Sequence, residues 1–279
     1  MTGLETRSRR MRTVLWVLLV LVVAFYAFPF VYLLLTSFKT PSQVIAIPPS
    51  LLPADWTGQN YATALAKPNV VASFINSTIT ALITTAMSLV LAVPAAYGIS
   101  RFKTRIGPVL LLAALVVRMV PPVAIGLPLT GTIRALGLSD TSFGLAIAHT
   151  IIGLPLSIVL MASFFEAVPG SLEEAARVDG CSRFGALWRV VLPVTAGGAA
   201  VTAIFAFLAS WNEFLFALLT TSVRAQTTPI VIANFQTQFG LDWGPMTALA
   251  TLYSIPVIVL TFLLQRHIVT GMTLGAVAD

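Results

Sequence analysis

Charge is scarce in this chain: only 9% of its 279 residues are Asp, Glu, Lys or Arg, where an average soluble domain carries roughly 25%. With 57% hydrophobic residues and a mean hydropathy of +0.93, the sequence cannot clothe a water-facing surface, so the expected solvent is lipid. Cysteine is scarcer still. Cys181 stands alone, which excludes an internal disulfide and any multi-cysteine metal site. The histidines, His149 and His267, are far apart and no H-E-x-x-H run occurs. Neither a metal site nor a nucleophile–base pair is therefore expected, and an intramembrane enzyme has no support. The net charge of +6 has the sign that nucleic acid attracts, but the placement of the charges gives it another meaning.

What the sequence has in abundance is long apolar runs. A membrane-spanning helix needs about 20 such residues, and six stretches qualify, at about 13–36, 72–100, 107–131, 142–165, 194–219 and 244–266. Arg118 is the charge inside the third run and Glu213 the one inside the fifth. The first run follows Arg7, Arg9, Arg10 and Arg12 as a secretory signal would, but it is far longer than a signal's apolar core and lacks a small-x-small cleavage site. A retained anchor is expected.

Lys and Arg set orientation. With the N-terminus in the cytoplasm, the inner segments hold the four N-terminal arginines, Arg101, Lys103, Arg105, Arg177, Arg183, Arg189 and Arg266. The outer ones hold only Lys39, Lys67, Arg134 and Arg224. The basicity thus reports topology, with both termini inside, and no nucleic-acid partner is expected. Pro29, Pro94, Pro121, Pro122, Pro128, Pro155 and Pro256 fall within the runs. Each frees a backbone carbonyl that lipid cannot satisfy, which suits helices bundled around a cavity; prolines are also simply commoner in membrane helices.

The cytoplasmic segment 166–193, EAVPGSLEEAARVDGCSRFGALWRVVLP, reads as two short helices. Pro169-Gly170 ends the preceding span. Ser171 with Glu174 has the spacing of a capping box, Gly180 suits a left-handed helix end, and Ser182 can cap the second helix, which stops at Pro193. A helix–turn–helix projecting on the basic side has the shape for docking a cytoplasmic partner.

Within it, Glu174-Ala175-Ala176, Gly180, Val190 and Leu192-Pro193, with Arg177 and Asp179, resemble the EAA motif of permease subunits in ABC importers. Further stretches are similar to the carbohydrate branch, notably the second permease subunit of maltose importers. They are Asn76-Ser77, Ala95-Ala96-Tyr97-Gly98 with Ser100-Arg101-Phe102, Leu136-Gly137-Leu138 with Asp140-Thr141, Trp211-Asn212-Glu213-Phe214, and Gly271-Met272-Thr273 with Gly275-Ala276-Val277. A second proline soon after Leu-Pro, common in relatives, is missing from Val194-Thr195-Ala196-Gly197-Gly198.

The resemblance implies an all-α integral membrane protein with the six-helix type I importer permease fold, in a bacterial inner membrane. It implies half of a translocation pathway for a di- or oligosaccharide, with importers of polyols or glycerophosphates the nearest alternative. Glu174, Ala175, Ala176, Asp179, Gly180, Leu192 and Pro193 would form the ATPase-coupling loop. The implied partners are a second permease, two ATPase subunits and an outer solute-binding protein. No Walker A pattern occurs, so ATP and Mg would be bound by a separate chain. An ion-coupled carrier would want acidic residues near the midplane, and one peripheral glutamate is poor support.

Arg118 lies about 12 residues into the third run, ~18 Å along a straight helix. A lone arginine there is costly, so a lining role in the translocation path or an ion pair fixing the packing is expected. Glu213, near the outer surface, could gate, pair with Arg118 or face water. Trp211 and Asn212 beside it are further path candidates, Trp211 as a sugar-stacking ring or an interfacial tryptophan. His149 is expected to hydrogen-bond a neighbouring helix. The outer loop 220–243 is long and polar for a connection, and Asn234, Phe235, Gln236 and Phe239 are its candidate contacts to a binding protein. The resemblance also implies that the tail, Gly271 to Asp279, reaches toward the ATPase interface.

Overall fold

The computed structural model describes residues 2–102, 106–237 and 240–275, with side chains except in 2–10, 237 and 264–275. In chain order its helices are α1 Thr2–Ser37, α2 Pro41–Val44, α3 Gln59–Ala66, α4 Val70–Arg101, α5 Ile106–Val117, α6 Pro122–Ala135, α7 Ser142–Glu166, α8 Gly170–Val178 and α9 Arg183–Ala186. A π-helical turn, Leu187–Val191, leads through α10 Leu192–Val194 to α11 Ala196–Trp211, α12 Leu215–Thr220, α13 Thr228–Ala233 and α14 Trp243–Gly275. A two-stranded hairpin, β1 Gln236–Thr237 and β2 Gly240–Leu241, precedes α14. Four helices are long and apolar enough to cross a membrane: Met11–Ser37, Val70–Arg101, Ser142–Glu166 and Trp243–Leu263. Two bent pairs raise the number to six if each counts as one span.

Two compact units form: Met1–Pro68 with Asn234–Ser254, and Asn69–Ala233 with Ile255–Asp279. In the first, α1 presents a belt of exposed Val, Leu and Phe, the reverse of a water-soluble helix and suited to lipid. Past its end the chain is tied down by polar contacts. Asn60 donates to the carbonyls of Ser37 and Lys39, and the buried Lys39 ammonium donates to the Ser50 carbonyl beneath the Tyr32 ring.

The second unit is built on α4, α7 and α11 packed together. Many of their buried positions are small: Ala81, Ala92 and Ala96 on α4, Ala146, Ala148 and Ala162 on α7, Gly198 on α11. Lipid gives apolar helices no reason to associate by hydrophobicity, so close backbone approach and dispersion must hold them. At Gly198 the approach is so close that a Cβ would overlap the Phe164 ring. Buried hydroxyls return their hydrogens to carbonyls one turn back, as Thr150 does to Ala146 and Thr202 to Gly198. At the C-terminal end of α4 and α7, Tyr97, Met161, Phe165, Leu187 and Val191 close an apolar cluster.

Two expected spans differ from straight helices. The third is α5 and α6, bent by 92° at a break holding Arg118, Met119, Val120 and Pro121. Pro122 forces the residue before it out of the helical region, and Pro121 has φ −54° and ψ 127°. The fifth, expected at 194–219, is α11 and α12 interrupted at Asn212, Glu213 and Phe214. Upstream, α11 turns by 82° from the segment Arg183–Val194, so the coupling segment and the span meet at a corner at Thr195.

Candidate functional site

The segment expected to couple does form two helices about a glycine. Gly180 has φ +89°, the Cys181 N–H reaches the Ala176 carbonyl and the Gly180 N–H that of Arg177. That is the paired closure of a Schellman motif, which satisfies carbonyls α8 would otherwise orphan. Ser182 caps α9, its hydroxyl accepting from the Gly185 N–H at 3.1 Å. The expected capping box is not formed. Pro169 occupies the cap of α8, leaving Ser171 inside the helix and Glu174 exposed. Because the helix starts at Gly170, the Ser171 hydroxyl lies inside the first turn and not ahead of it, where it cannot accept from the N–H groups that a cap serves.

The acidic residue that anchors the loop is Glu173. Its carboxylate takes the Tyr97 hydroxyl, and the Nε of Arg101 lies 3.1 Å from its Oε2. Arg101 also donates to the Val168 carbonyl at 3.0 Å, and the Tyr97 hydroxyl lies 3.1 Å from the Arg183 carbonyl. Arg183 itself stacks over Phe102 at 5.0 Å. The C-terminal end of α4 is thus bonded to α8 and to the start of α9. A cavity of about 480 Å³ opens beside these contacts, lined among others by Arg101, Arg177, Glu166 and Glu174. On the outward side Glu174, Ala175, Asp179, Gly180 and Pro193 are exposed, Leu192 is half-buried and Ala176 is buried. Val178, 87% exposed, with Phe184 and Trp188 packed edge to face, adds an apolar patch to this charged face. Glu173, Val178, Phe184 and Trp188 escaped the sequence reading. Val178, two residues from the buried Ala176, lies on the opposite face of α8 and could have been read as exposed from helical spacing; Phe184 and Trp188 lie beyond that helix, and the Glu173 pairing depends on a span far away in the chain.

Between α6 and α7, Asp140 accepts from the backbone N–H groups of Ser222, Val223, Arg224 and Ala225 and from the Ser222 hydroxyl. Gly137 and Asp140 take positive φ to aim the carboxylate, and Thr141 caps α7. Burial pushes the Asp140 pKa up, but four N–H donors outweigh it and hold the carboxyl well below the usual range. Because the folded-state pKa is depressed, the stability it contributes is present above the unfolded value near 4 and is lost as pH falls through the folded one. Asp140→Asn turns a donor toward those N–H groups and should cost about 1–3 kcal/mol. The expected outcome is a lower thermal midpoint of the purified protein at neutral pH, with the difference from the parent shrinking in strong acid. On α4, Asn76 donates to the carbonyls of Arg224 and Gln226 and Ser77 accepts from the Thr228 N–H, so the same loop is held from two elements.

The remaining candidates are placed less uniformly. Arg118 is exposed in the break between α5 and α6 and has no partner among the described residues. The expected pairing with Glu213 is not made, because the bend removes the straight helix on which that register was counted. Glu213 instead contacts His149. Trp211 is buried and stacks on Phe207 at 5.6 Å, so its ring is a packing element and not a free platform for a sugar. Asn212 is exposed, its amide donating to the Leu208 carbonyl. In the outer hairpin Asn234 and Gln236 are exposed, while Phe235 is buried with the Lys67 ammonium 3.9 Å over its ring. Phe235 anchors the loop and cannot also be a surface contact. Phe239 lies outside the described residues, as do 276–279 of the tail.

The chain is a bundle of apolar, interrupted helices with a capped helix–turn–helix between α7 and α11. The family described as the binding-protein-dependent transport system inner membrane component matches residues 88–274, and the chain belongs to it. It is 36% identical over 270 residues to the trehalose transport system permease protein SugB of Mycobacterium tuberculosis, covering 95% of this chain and 98% of that one. It is 34% identical over 249 residues to the sulfoquinovosyl glycerol transport system permease protein SmoH of Agrobacterium fabrum, covering 89% and 87%. In fold it is similar to a chain of a bacterial ABC transporter involved in import of the acidic polysaccharide alginate, with a TM-score of 0.78 and 22% identity over 93% of this chain and 97% of that one.

Proposed function

We propose that this permease carries a di- or oligosaccharide, or a related glycoside, inward across a bacterial inner membrane as one half of a two-permease pathway. Two ATPase subunits, which bind ATP and Mg, would dock from the cytoplasm, and a solute-binding protein would deliver the solute from outside. Both termini would be cytoplasmic. The observation that carries the reading is the coupling face. Glu174, Ala175, Asp179 and Gly180 are presented outward, while Glu173 behind them is bonded to Arg101 and Tyr97 of α4. Motion of a docked ATPase would be passed through that contact to the end of a spanning helix. The carbohydrate class rests on the relatives named for trehalose and sulfoquinovosyl glycerol transport. The exposed breaks at Arg118 and at Asn212–Phe214 would supply polar lining to the path, and Asn234 and Gln236 would contact the binding protein.

The test has two parts. The tagged subunit, purified from its native membrane, should bring down a chain carrying a Walker A sequence. Proteoliposomes of that complex with its binding protein should take up, on ATP, at least one glycoside from a panel of trehalose, maltose, sulfoquinovosyl glycerol, a polyol and glycerol phosphate. Uptake restricted to the polyol or glycerol phosphate would overturn the carbohydrate assignment. Absence of an ATPase would overturn the coupling mechanism.

A further inference from the structure

The break in the fifth span is held by a run of polar side chains that the coupling role does not require. Glu213 lies in the break, its side chain 18% exposed. Its oxygens accept from the Phe216 N–H at 2.9 and 3.0 Å and from the Ala217 N–H at 3.1 Å. In an uninterrupted helix those two donors would reach the carbonyls one turn back, at Asn212 and Glu213. The carboxylate takes them instead, so the chain is unwound at Asn212–Phe214 and restarts as α12.

A carboxylate so deep in a bundle needs a cationic or donor partner, and His149 on α7 provides it. Its side chain is 1% exposed, with Nε2 3.0 Å from Oε2 of Glu213, a close ionic contact off the line of an ideal hydrogen bond. The far side of the ring is seated: Nδ1 is 2.7 Å from the Ser210 hydroxyl on α11, which lies 3.3 Å from the Thr84 hydroxyl on α4, itself 3.4 Å from the Ala146 carbonyl. Ser210 gives its one hydrogen to Thr84 and Thr84 its own to the Ala146 carbonyl, so Nδ1 donates to Ser210, and in the doubly protonated ring the second hydrogen, on Nε2, lies beside Glu213. Three packed helices thus orient one imidazole toward one carboxylate.

We propose that His149 is a positioning residue for the transport path: seated on Ser210 and Thr84, it holds Glu213 over the first turn of α12 and keeps the fifth span open at Asn212–Phe214. The inference rests on reading Asn212 and Glu213 as path lining. It separates the two ring nitrogens. In His149→Gln the amide nitrogen reaches about as far as Nε2 and keeps the contact to Glu213. In His149→Asn the amide reaches only as far as Nδ1, keeping Ser210 and losing Glu213.

The lone native thiol allows a direct readout. In the assembled importer carrying Cys181→Ser and Asn212→Cys, a charged, membrane-impermeant maleimide should label position 212 from the aqueous phase. Adding His149→Asn should change the labelling rate about tenfold, the scale of one lost contact between a donor and a charged group, whereas His149→Gln should leave it within about threefold. Adding His149→Asn to Glu213→Gln should have little further effect, because the contact is already weakened. Equal rates for the Asn and Gln variants, whether both parental or both altered, would overturn the positioning role. Absence of labelling in the parent would overturn the path reading and the inference with it. ATP-driven trehalose uptake, run in parallel, should show a raised KM in His149→Asn and a near-parental KM in His149→Gln; a fall in rate alone, equal in both, marks simple structural damage and overturns the proposal.

Discussion

Gly180→Pro is expected to reduce uptake to background while the subunit still reaches the membrane at parental abundance. Gly180 sits at φ +89° and donates its N–H to the Arg177 carbonyl. Proline fixes φ near −65° and has no N–H, so the Schellman closure of α8 fails at both of its requirements, at a local cost of about 3 kcal/mol or more. The damage is confined to the turn, since nothing packs within 4 Å of where a Cβ at Gly180 would lie. The spans that direct insertion are untouched. What changes is the angle between α8 and α9, and with it the face that carries Glu174, Asp179, Phe184 and Trp188. Gly180→Asn supplies the control: asparagine tolerates the left-handed region better than other residues and keeps the donor, so that variant should retain most of the uptake. Parental uptake by the proline variant, with membrane abundance confirmed by immunoblot, would mean that the loop does not couple.

The second large effect is expected at Arg101 and Glu173. Their side chains are 16% and 12% exposed, so neither charge is well solvated. Removing one partner of such a pair typically costs about 3–5 kcal/mol, because the other is left as an uncompensated charge. Arg101→Leu additionally withdraws the donor from the Val168 carbonyl at the end of the fourth span. The expected result is loss of stimulation of ATP hydrolysis by the binding protein, with basal hydrolysis by the ATPase subunits preserved. Glu173→Gln, which retains an acceptor for Tyr97, should do less. The double variant Arg101→Leu, Glu173→Leu should be less impaired than the sum of its parts, since no buried charge remains. Strict additivity of the two single effects, measured as unfolding midpoint and as stimulated hydrolysis, would show that the pair does not act as a unit.

Both variants act on features of different legibility. The turn at Gly180 and the cap at Ser182 are local: a left-handed residue and a hydroxyl before a helix declare themselves within five positions. The Glu173 contact does not, because its partners lie on α4 and nothing local distinguishes Glu173 from Glu174. The capping box assigned to Ser171 and Glu174 failed for a related reason. Two start signals overlapped, Pro169-Gly170 and Ser171, and the earlier start placed Ser171 inside the first turn, where its hydroxyl cannot act as the cap.

Composition and apolar run length were sufficient for the membrane class, and four of the six expected spans are single helices long and apolar enough to cross, because lipid requires about 20 apolar residues per crossing whatever surrounds them. The fixed-spacing pattern from Glu174 to Pro193 was sufficient for the family. Tertiary structure alone decided how the spans are interrupted. The proline pair at Pro121-Pro122 signals a disturbance, but not the 92° by which the two helices turn. The opening at Asn212–Phe214 contains no proline or glycine at all. It exists because Glu213 captures two backbone donors and is held against His149, a residue that only the packing of α7 on α11 brings within 3.0 Å. Apolar periodicity is a property of one helix at a time, whereas a buried charge pair is a property of the bundle.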